Sequence, residues 1–319
     1  MYTERILVSV DTGRSGGKTI DHEMKTAFVP SRFKKGKMRK LIGKLTDYAP
    51  SDIDFKYYGK DGQINEEPEH WFIGELAQKE SDISTSVWSQ SKADPKTLYL
   101  ILASLYRAGY HSGRFTVVTL IPYSTFDDEE IEALKKLVEG NHSLEINGVA
   151  FNYNIEELLL MPETISAYYG LPVEWTEGKY VYIVDVGART MTLAAIDPSG
   201  ELIEARTETV PVGLETEKFD DDYELVEFIV DKMNQLNWDE PARKGVLVPI
   251  GGNYKSIGKV LCEIQPDQQS QGKLINEIGI LQASDLGLYE PKRRDDAGRF
   301  ANALGAYMVA KEALVTEEV

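Results

Sequence analysis

Two segments of the chain share one pattern of apolar and polar positions. In the first, an apolar run at 6–10 leads into Asp-Thr-Gly at 11–13, a short polar loop and a second apolar run. In the second, an apolar run at 180–184 leads into Asp-Val-Gly at 185–187, which is likewise followed by a short polar loop and a second apolar run. Strands joined by a tight glycine-bearing loop predict a β-hairpin. The two hairpins lie 174 residues apart, counted from position 11 to position 185, which predicts a duplicated domain whose copies open alike.

The rest of the pattern alternates between strands and helices. Runs of β-branched and apolar residues predict strands, and apolar residues spaced by three and four predict helices. The further predicted strands are a hairpin of 57–58 with 71–73, then 115–121, 149–153, 157–161 and 245–250. The predicted helices are 95–110, 127–140, 163–170, 221–236 and 295–311. Such alternation in both halves predicts α/β layers.

The acidic balance of the chain restricts its partners. With 35 basic and 52 acidic side chains, the net charge of −17 repels DNA and anionic membranes. We therefore expect no direct nucleic acid binding and no membrane association, and we expect any contact with DNA to use a protein adaptor or a local basic patch. Seven basic residues from Arg32 to Lys44 form one such patch, which we interpret as a solvated surface.

Length and cysteine content restrict the size of the domains and the location of the protein. The 319 residues suit two compact lobes or one large domain, with enough chain for sizeable cores. The charged N-terminus runs directly into a strand, unlike a signal peptide, and no apolar run approaches the ~20 residues of a membrane span. The single cysteine, Cys262, cannot form an internal disulfide, so we expect a cytoplasmic location and a buried, unreactive thiol.

The loop of the first hairpin has the composition of a phosphate-binding loop. Small residues in a tight loop direct backbone N–H groups toward one point, which suits phosphate oxygens. The loop consists of Arg14, Ser15, Gly16 and Gly17, and Lys18 follows it with a positive charge. A lone Asp-x-Gly fits a plain hairpin turn equally well. Two copies in corresponding halves favour phosphate binding.

Two such loops facing each other would hold the β- and γ-phosphates of a nucleotide from both sides. Asp11 and Asp185 would then hold Mg²⁺ through its waters, because Mg²⁺ keeps much of its hydration shell. The chain contains neither a Walker A motif nor a Gly-x-Gly-x-x-Gly after a strand, so those two nucleotide-binding classes are excluded.

Two other features leave two interpretations open. Gly251, Gly252 and Asn253 follow a predicted strand, where paired glycines serve either a ligand that approaches the backbone or a sharp turn. Glu163 follows a proline at the start of a predicted helix. It either stabilises the N-terminus of that helix or positions an attacking water.

These motifs, in this order, resemble those of the actin, Hsp70 and sugar-kinase superfamily, and more closely those of the ParM-type (StbA-type) plasmid-segregation actins. Asp11-x-Gly13 with Lys18 is similar to the first phosphate loop of that family. The matching second loop is Asp185-x-Gly187-Ala188-Arg189-Thr190. The stretch 248–253 resembles the adenosine motif of the family, and 301–307 resembles its second connecting helix. The stretch 161–165 resembles its Met-Pro-Glu stretch, whose Glu positions the hydrolytic water.

The resemblance implies an α/β, two-lobed actin-like fold, built from duplicated RNase H-like domains with a nucleotide cleft between them. Lobe I would span 1–165, with a small subdomain inserted at about 30–90, and lobe II would span 166–319. The helix at about 295–311 would pack back toward lobe I. Only 66 residues separate Asp185 from Gly251, so subdomain IIB would be reduced or absent, as in the Alf-type actins.

The family pattern is broken at three positions. Ala188 stands where a second glycine is usual, and Arg189 and Arg14 are bulky for phosphate loops. Both arginines are either additional phosphate ligands or side chains directed to solvent.

The resemblance also implies an activity, which is that of an ATPase that binds ATP with Mg²⁺, with GTP as the alternative nucleotide. Asp185 and Glu163 would orient the water, and Asp11 would help to hold the metal. The protein would polymerise head to tail and meet a DNA-binding adaptor on centromere-like plasmid DNA. The alternatives are a non-polymerising small-molecule kinase of the same superfamily and a cell-shape or scaffold actin.

Overall fold

The computed structural model describes residues 5–37, 48–80, 91–216, 219–238, 245–269, 277–279 and 297–317. These residues form two compact units. Unit 1 draws on Met1–Ile121, Thr125–Met161 and Ala310–Val319, and unit 2 draws on Pro122–Ser124 and Pro162–Val309. The lobe boundaries given above remain a prediction. Within the described residues, no helix is both long and apolar enough to cross a membrane.

Unit 1 is built on a nine-stranded sheet in the order β3-β2-β1-β7-β9-β8-β5-β6-β4. Its strands are β1 Ile6–Thr12, β2 Gly16–Asp21, β3 Thr26–Pro30, β4 Phe33–Lys35, β5 Asp52–Lys60, β6 Gln63–Gly74, β7 Ser112–Ile121, β8 Gly140–Ile146 and β9 Val149–Pro162. Its helices are α1 Glu75–Lys79, α2 Pro95–Arg107 and α3 Asp128–Val138.

Unit 2 is built on a five-stranded sheet in the order β12-β11-β10-β13-β14. Its strands are β10 Tyr180–Val186, β11 Met191–Ile196, β12 Glu208–Val210, β13 Gly245–Gly251 and β14 Glu277–Ile278. The helices of the second half are α4 Val173–Thr176, α5 Asp222–Gln235, α6 Tyr254–Gln269 and α7 Ala297–Glu317. Short 3-10 turns lie at Tyr123–Thr125, Ser166–Gly170 and Glu204–Arg206.

The two sheets repeat one topology. In unit 1, β1 pairs antiparallel with β2 and parallel with β7. In unit 2, β10 pairs antiparallel with β11 and parallel with β13. The first five strands of one sheet, β3-β2-β1-β7-β9, therefore match the order of the other, β12-β11-β10-β13-β14. The predicted α/β fold, with the same hairpin opening both halves, is confirmed.

Capping residues and buried apolar faces explain the helices that flank these sheets. Asp94 caps α2 by accepting a hydrogen bond from the Lys96 amide, and Pro95 occupies the first turn, where its missing N–H costs nothing. The apolar face of α2, including Leu98 and Leu102, is buried against β1, β2 and β3. This packing holds the first hairpin on a rigid helix.

Two sequence predictions around Glu163 were wrong. The predicted strands 149–153 and 157–161 are one strand, β9, because the buried and exposed positions keep alternating through the buried Ile155. No helix begins at Glu163, because β9 runs through Pro162 and the chain then turns. Helical backbone follows only as the 3-10 turn Ser166–Gly170.

Other boundaries differ by a few residues. The helix predicted at 127–140 ends at Val138, and Gly140 opens strand β8, which the sequence analysis missed. The described part of the last helix is α7, which extends to Glu317; positions 295–296 lie outside the described residues. Of the basic patch, Arg39, Lys40 and Lys44 also lie outside them.

Cys262 is exposed on α6, so its predicted burial was wrong. Partial burial and the neighbouring Glu263 raise the pKa of its thiol, which keeps it protonated.

Candidate functional site

The first hairpin buries an ion pair at its tip. The antiparallel register of β1 and β2 places Lys18 opposite Asp11, and Lys18 Nζ donates to Asp11 Oδ2 at 2.7 Å. Both side chains are almost fully buried. A Cβ added at Gly13 would lie 2.6 Å from Lys18 Nζ, so the ammonium occupies space that glycine leaves open. The structure thus brings together three of the predicted site residues, Asp11, Gly13 and Lys18.

The glycines of the first loop also have packing roles. The Gly16 amide donates to the Gly13 carbonyl at 3.1 Å, which closes the turn. A Cβ on Gly16 would lie 2.5 Å from the Val29 carbonyl oxygen, and one on Gly17 would lie 2.4 Å from Ser104 Oγ in α2. The close approach of β2 to its neighbours therefore accounts for both glycines. In the same loop, Arg14 is half-buried and Ser15 is exposed.

Lys92 is a buried lysine at the tip of the first hairpin that the sequence pattern did not predict there. Its Nζ donates to the Thr12 carbonyl oxygen at 2.7 Å, and the residue is only 8% exposed. Its backbone N–H donates to the Glu130 carboxylate, which fixes the segment before α2. A lysine is seldom buried unless its charge is matched. Lys92 and Lys18 thus place two ammonium groups at the tip of the first hairpin, and no motif in the sequence marks Lys92.

The second hairpin loop, 187–190, is held on one side by segment 213–216. The Gly187 amide donates to the Thr190 carbonyl at 2.9 Å, which closes the loop. The carbonyls of Gly187 and Ala188 accept hydrogen bonds from the amides of Leu214 and Glu215, at 3.1 and 2.6 Å. The described chain contains no cis peptide bond.

These two carbonyl contacts determine where the loop amides point. In a trans peptide the N–H is directed opposite to the carbonyl that shares its plane. The N–H groups of Ala188 and Arg189 therefore point away from segment 213–216. Two successive amides directed to one side make the backbone arrangement that suits an anion. The half-buried Arg189 and the exposed Thr190 complete the loop.

Asp185, at the end of β10, accepts two hydrogen bonds on one oxygen. Asn302 Nδ2 donates to Asp185 Oδ2 at 2.7 Å, and Thr164 Oγ1 donates to the same oxygen at 3.1 Å. The Asn302 side chain also accepts the Thr164 backbone N–H at 2.9 Å. Both donors are neutral groups. Thr164 and Asn302 were not predicted as site residues, although both lie in stretches that carried the family resemblance.

Thr164 has a backbone conformation that β-branched residues rarely adopt. Its φ is +68°, and the residue is 1% exposed. Such a conformation persists only where the surroundings enforce it, and it is common at functional sites. Here the bonds to Asn302 and Asp185 enforce it. Glu163, the predicted water-positioning residue, is half-buried immediately before this turn.

Gly251, the last residue of β13, and the turn that follows it pack against the end of β10. The Gly252 amide donates to the Val186 carbonyl at 2.9 Å. Gly251 has a φ of +90°, and a Cβ there would lie 2.5 Å from the Val186 carbonyl oxygen and 2.8 Å from Asp185 Oδ1. Asn253 Nδ2 donates to Asp222 Oδ1 at 2.6 Å. The backbone turn therefore lies directly against the Asp185 carboxylate.

The two carboxylates provide different environments for a cation. Asp11 is paired with the ammonium group of Lys18, whereas Asp185 accepts hydrogen bonds from the neutral side chains of Thr164 and Asn302. Hard oxygen donors of this kind suit Mg²⁺. In the parts of the chain that the structure describes, no group of three or more His, Cys, Asp or Glu side chains is placed to hold a metal directly.

Comparisons with known proteins identify the fold. Residues 9–165 match the family model for the N-terminal domain of actin-like proteins. The archaeal actin homologue Ta0583 superposes with a TM-score of 0.70 at 20% identity, over 96% of this chain and 99% of that chain. The fold is actin-like.

Bacterial filament proteins give the same result for this actin-like chain. The 15-stranded ParM filament from Clostridium botulinum matches with a TM-score of 0.69 at 17% identity, covering 97% of this chain and 100% of that chain. The AlfA filament bound to AMPPNP matches with a TM-score of 0.64 at 15% identity, covering 99% of each chain. A search of curated protein sequences found no significant match. The predicted resemblance to ParM-type and Alf-type actins is confirmed at the level of the fold.

Proposed function

We propose that this actin-like protein binds a nucleoside triphosphate with Mg²⁺, hydrolyses it and assembles head to tail into filaments that segregate plasmid DNA. The observation that carries the proposal is the repeated hairpin. Asp11 and Asp185 are the next-to-last residues of equivalent strands, in two sheets with one topology, and each precedes a glycine-bearing loop. The two carboxylates and the two loops would together bind one ligand, such as a triphosphate with its metal ion.

Each half-site has a separate role in this proposal. The amides of Ala188 and Arg189 would bind phosphate oxygens, and Lys18 and Lys92 would offset phosphate charge at the first loop. Asp185 and Glu163 would orient a water for attack on the γ-phosphate. Bound Mg²⁺, held by Asp185 and Asp11 through water, would neutralise charge on the phosphates. Phosphoryl transfer depends mostly on such positioning and neutralisation.

The turn Gly251-Gly252-Asn253 would contact the nucleoside. Its backbone has no bulky side chain at the first two positions, and Asn253 is fixed by Asp222. ATP is the proposed nucleotide, with GTP as the alternative to test. Ta0583 has been solved in complex with ADP and the AlfA filament with AMPPNP, which supports a nucleotide for this chain as well.

Assembly is proposed from the filament structures among the matched proteins. The matches to ParM and AlfA filaments cover nearly the full length of both chains. A head-to-tail contact that does not close into a ring produces a filament. Because the net charge of −17 opposes direct DNA binding, a DNA-binding adaptor would connect the filament to the plasmid.

Light scattering of the purified protein tests the proposal. We expect scattering to rise after addition of ATP and Mg²⁺, electron microscopy to show filaments, and EDTA to prevent both. Parallel reactions with GTP identify the preferred nucleotide. A non-polymerising small-molecule kinase would bind nucleotide without scattering, and absence of both scattering and hydrolysis with either nucleotide would overturn the proposal.

A further inference from the structure

The side chain of Asn302 joins two separate parts of unit 2. Its amide oxygen accepts the Thr164 backbone N–H at 2.9 Å, and its amide nitrogen donates to Asp185 Oδ2 at 2.7 Å. Asn302 is 8% exposed and lies on α7, whereas Asp185 is the next-to-last residue of β10. An asparagine amide offers a donor and an acceptor on the same rigid group. Asn302 uses both, so it fixes the distance between the Thr164 turn and the Asp185 carboxylate.

Thr164 completes a closed triangle of hydrogen bonds. Its hydroxyl donates to Asp185 Oδ2 at 3.1 Å while its amide donates to Asn302. The left-handed backbone at Thr164, with a φ of +68°, directs both groups inward. A β-branched residue adopts this conformation only where its surroundings enforce it. The triangle therefore holds the backbone that immediately follows Glu163 in one conformation.

The packing of α7 fixes the register of Asn302. Three residues beyond Asn302, a Cβ on Gly305 would lie 1.7 Å from the Ser166 carbonyl oxygen. A Cβ on Gly170 would likewise lie 3.0 Å from the Gly305 amide nitrogen. The helix backbone thus contacts the backbone of the 3-10 turn Ser166–Gly170 directly. Such close contact prevents α7 from sliding, which would withdraw Asn302 from its two partners.

We infer that Asn302 and Thr164 are positioning residues that hold the Asp185 carboxylate and the Glu163 turn in the geometry required for attack on the nucleotide. The inference rests on the proposed hydrolysis, and it assigns these two residues no contact with the nucleotide. Because α7 carries Asn302, a displacement of this helix would uncouple the two acidic residues. Positioning of this kind affects the rate of the chemical step more than nucleotide affinity.

Isosteric substitutions test individually the three hydrogen bonds among Thr164, Asn302 and Asp185. Asn302→Asp keeps an acceptor for the Thr164 amide but replaces the donor to Asp185 with a second carboxylate. Thr164→Val keeps the β-branched shape and removes only the hydroxyl, and Thr164→Ser restores the hydroxyl. Asn234→Asp, at an exposed position of α5, introduces the same charge change away from the site and serves as the matched control.

Two measurements follow on the purified full-length variants. The first is the ATP hydrolysis rate as a function of ATP concentration with Mg²⁺. We expect Asn302→Asp and Thr164→Val to lower kcat by about 10- to 100-fold with little change in KM. Thr164→Ser should recover most of the rate that Thr164→Val loses, and Asn234→Asp should match the wild type.

The second measurement is hydrogen exchange of the Thr164 amide without nucleotide, which does not depend on activity. We expect slow exchange in the wild type and in Asn302→Asp, and faster exchange in Asn302→Ala. Unchanged kcat in Asn302→Asp, with an active wild type, would overturn the inference alone. Fast exchange in the wild type would also overturn it. An inactive wild type with ATP and GTP would overturn the proposed function, and the inference with it.

Discussion

Asp185 and Glu163 carry the chemistry of the proposed reaction at the residue scale. Asp185→Asn keeps an oxygen that Thr164 and Asn302 can reach and removes the negative charge. We expect kcat for ATP hydrolysis to fall about 100-fold or more while the melting temperature stays close to that of the wild type.

Glu163→Ala should also slow hydrolysis and leave longer-lived polymer. Phosphate release measured with scattering tests both, and a normal release rate in Asp185→Asn would remove Asp185 from the mechanism.

Gly251 tests whether the backbone beside Asp185 tolerates a side chain. Gly251→Ala would combine the unfavourable φ of +90° with a methyl group 2.5 Å from the Val186 carbonyl oxygen. We expect the free energy of unfolding to fall by about 1–3 kcal/mol, measured by urea denaturation, and nucleotide affinity to weaken.

Gly178→Ala is the matched control for this substitution. Gly178 also has a positive φ, +66°, but no atom lies within 4 Å of the position that its Cβ would take. The Gly178→Ala variant should lose stability through backbone strain alone and keep the nucleotide affinity of the wild type. Equal losses of affinity in the two variants would show that the close approach at Gly251 has no special role.

The sequence predicts some site residues and not others, for a physical reason. Asp11, Lys18 and Asp185 belong to local motifs, in which a strand and its loop place a side chain at a hairpin tip. Lys92 and Asn302 lie far from those motifs in sequence, and tertiary packing alone brings each to its partner. Short-range patterns contain no information about such contacts.

At the scale of elements, the N-terminus of α5 is tied to the turn that precedes α6. Asp221 caps α5 by accepting hydrogen bonds from the amides of Tyr223 and Glu224. The next residue, Asp222, instead accepts hydrogen bonds from Asn253 and Ser256. Asp221 therefore stabilises α5 itself, whereas Asp222 connects α5 to the turn before α6 and to the first turn of α6.

This separation predicts different effects of two neighbouring substitutions. Asp221→Ala should cost about 0.5–2 kcal/mol of unfolding free energy, as expected for a lost cap, and leave nucleotide affinity unchanged. Asp222→Ala should release Asn253 and weaken nucleotide affinity as well. Titration with a fluorescent ATP analogue and urea denaturation measure both quantities. A larger affinity loss in Asp221→Ala would contradict this assignment.

Element types were predictable and some boundaries were not. Periodicity located both hairpins, α2 and α5, because long amphipathic patterns and strong caps dominate there. It failed at Glu163, where an acidic residue after a proline is typical of a helix start. The hydrogen bonds of Thr164 to Asn302 and Asp185 hold that segment in a turn instead. Long-range contacts there override local propensity.

At the scale of the whole molecule, a buried histidine makes stability depend on pH. His142 is fully buried, its Nε2–H donates to the Val138 carbonyl at 2.7 Å, and its Nδ1 accepts from the Tyr57 hydroxyl at 3.0 Å. Burial lowers the pKa of His142 below its usual 6.5. Burial also raises the pKa of Tyr57 to about 12, so this hydroxyl remains a donor at neutral pH.

The sign of the effect follows from proton uptake. Between pH 6.5 and the lower pKa of the folded protein, the unfolded chain binds a proton at His142 that the folded chain does not. The free energy of unfolding should therefore decrease as pH falls below about 6.5. His142→Gln should reduce this slope, and His22→Asn, at an exposed position, should preserve it. Urea denaturation from pH 7.5 to 5 tests this, and an equal slope in His142→Gln would contradict it.

In the proposed function, both halves of the chain bind one nucleotide. The decisive measurement is a structure of the assembled protein with AMPPNP and Mg²⁺, determined by electron cryomicroscopy. We predict one triphosphate contacted by the loop after Asp11 and by the amides of Ala188 and Arg189, with Mg²⁺ near both aspartates. A nucleotide bound by only one hairpin, or bound away from both, would contradict it.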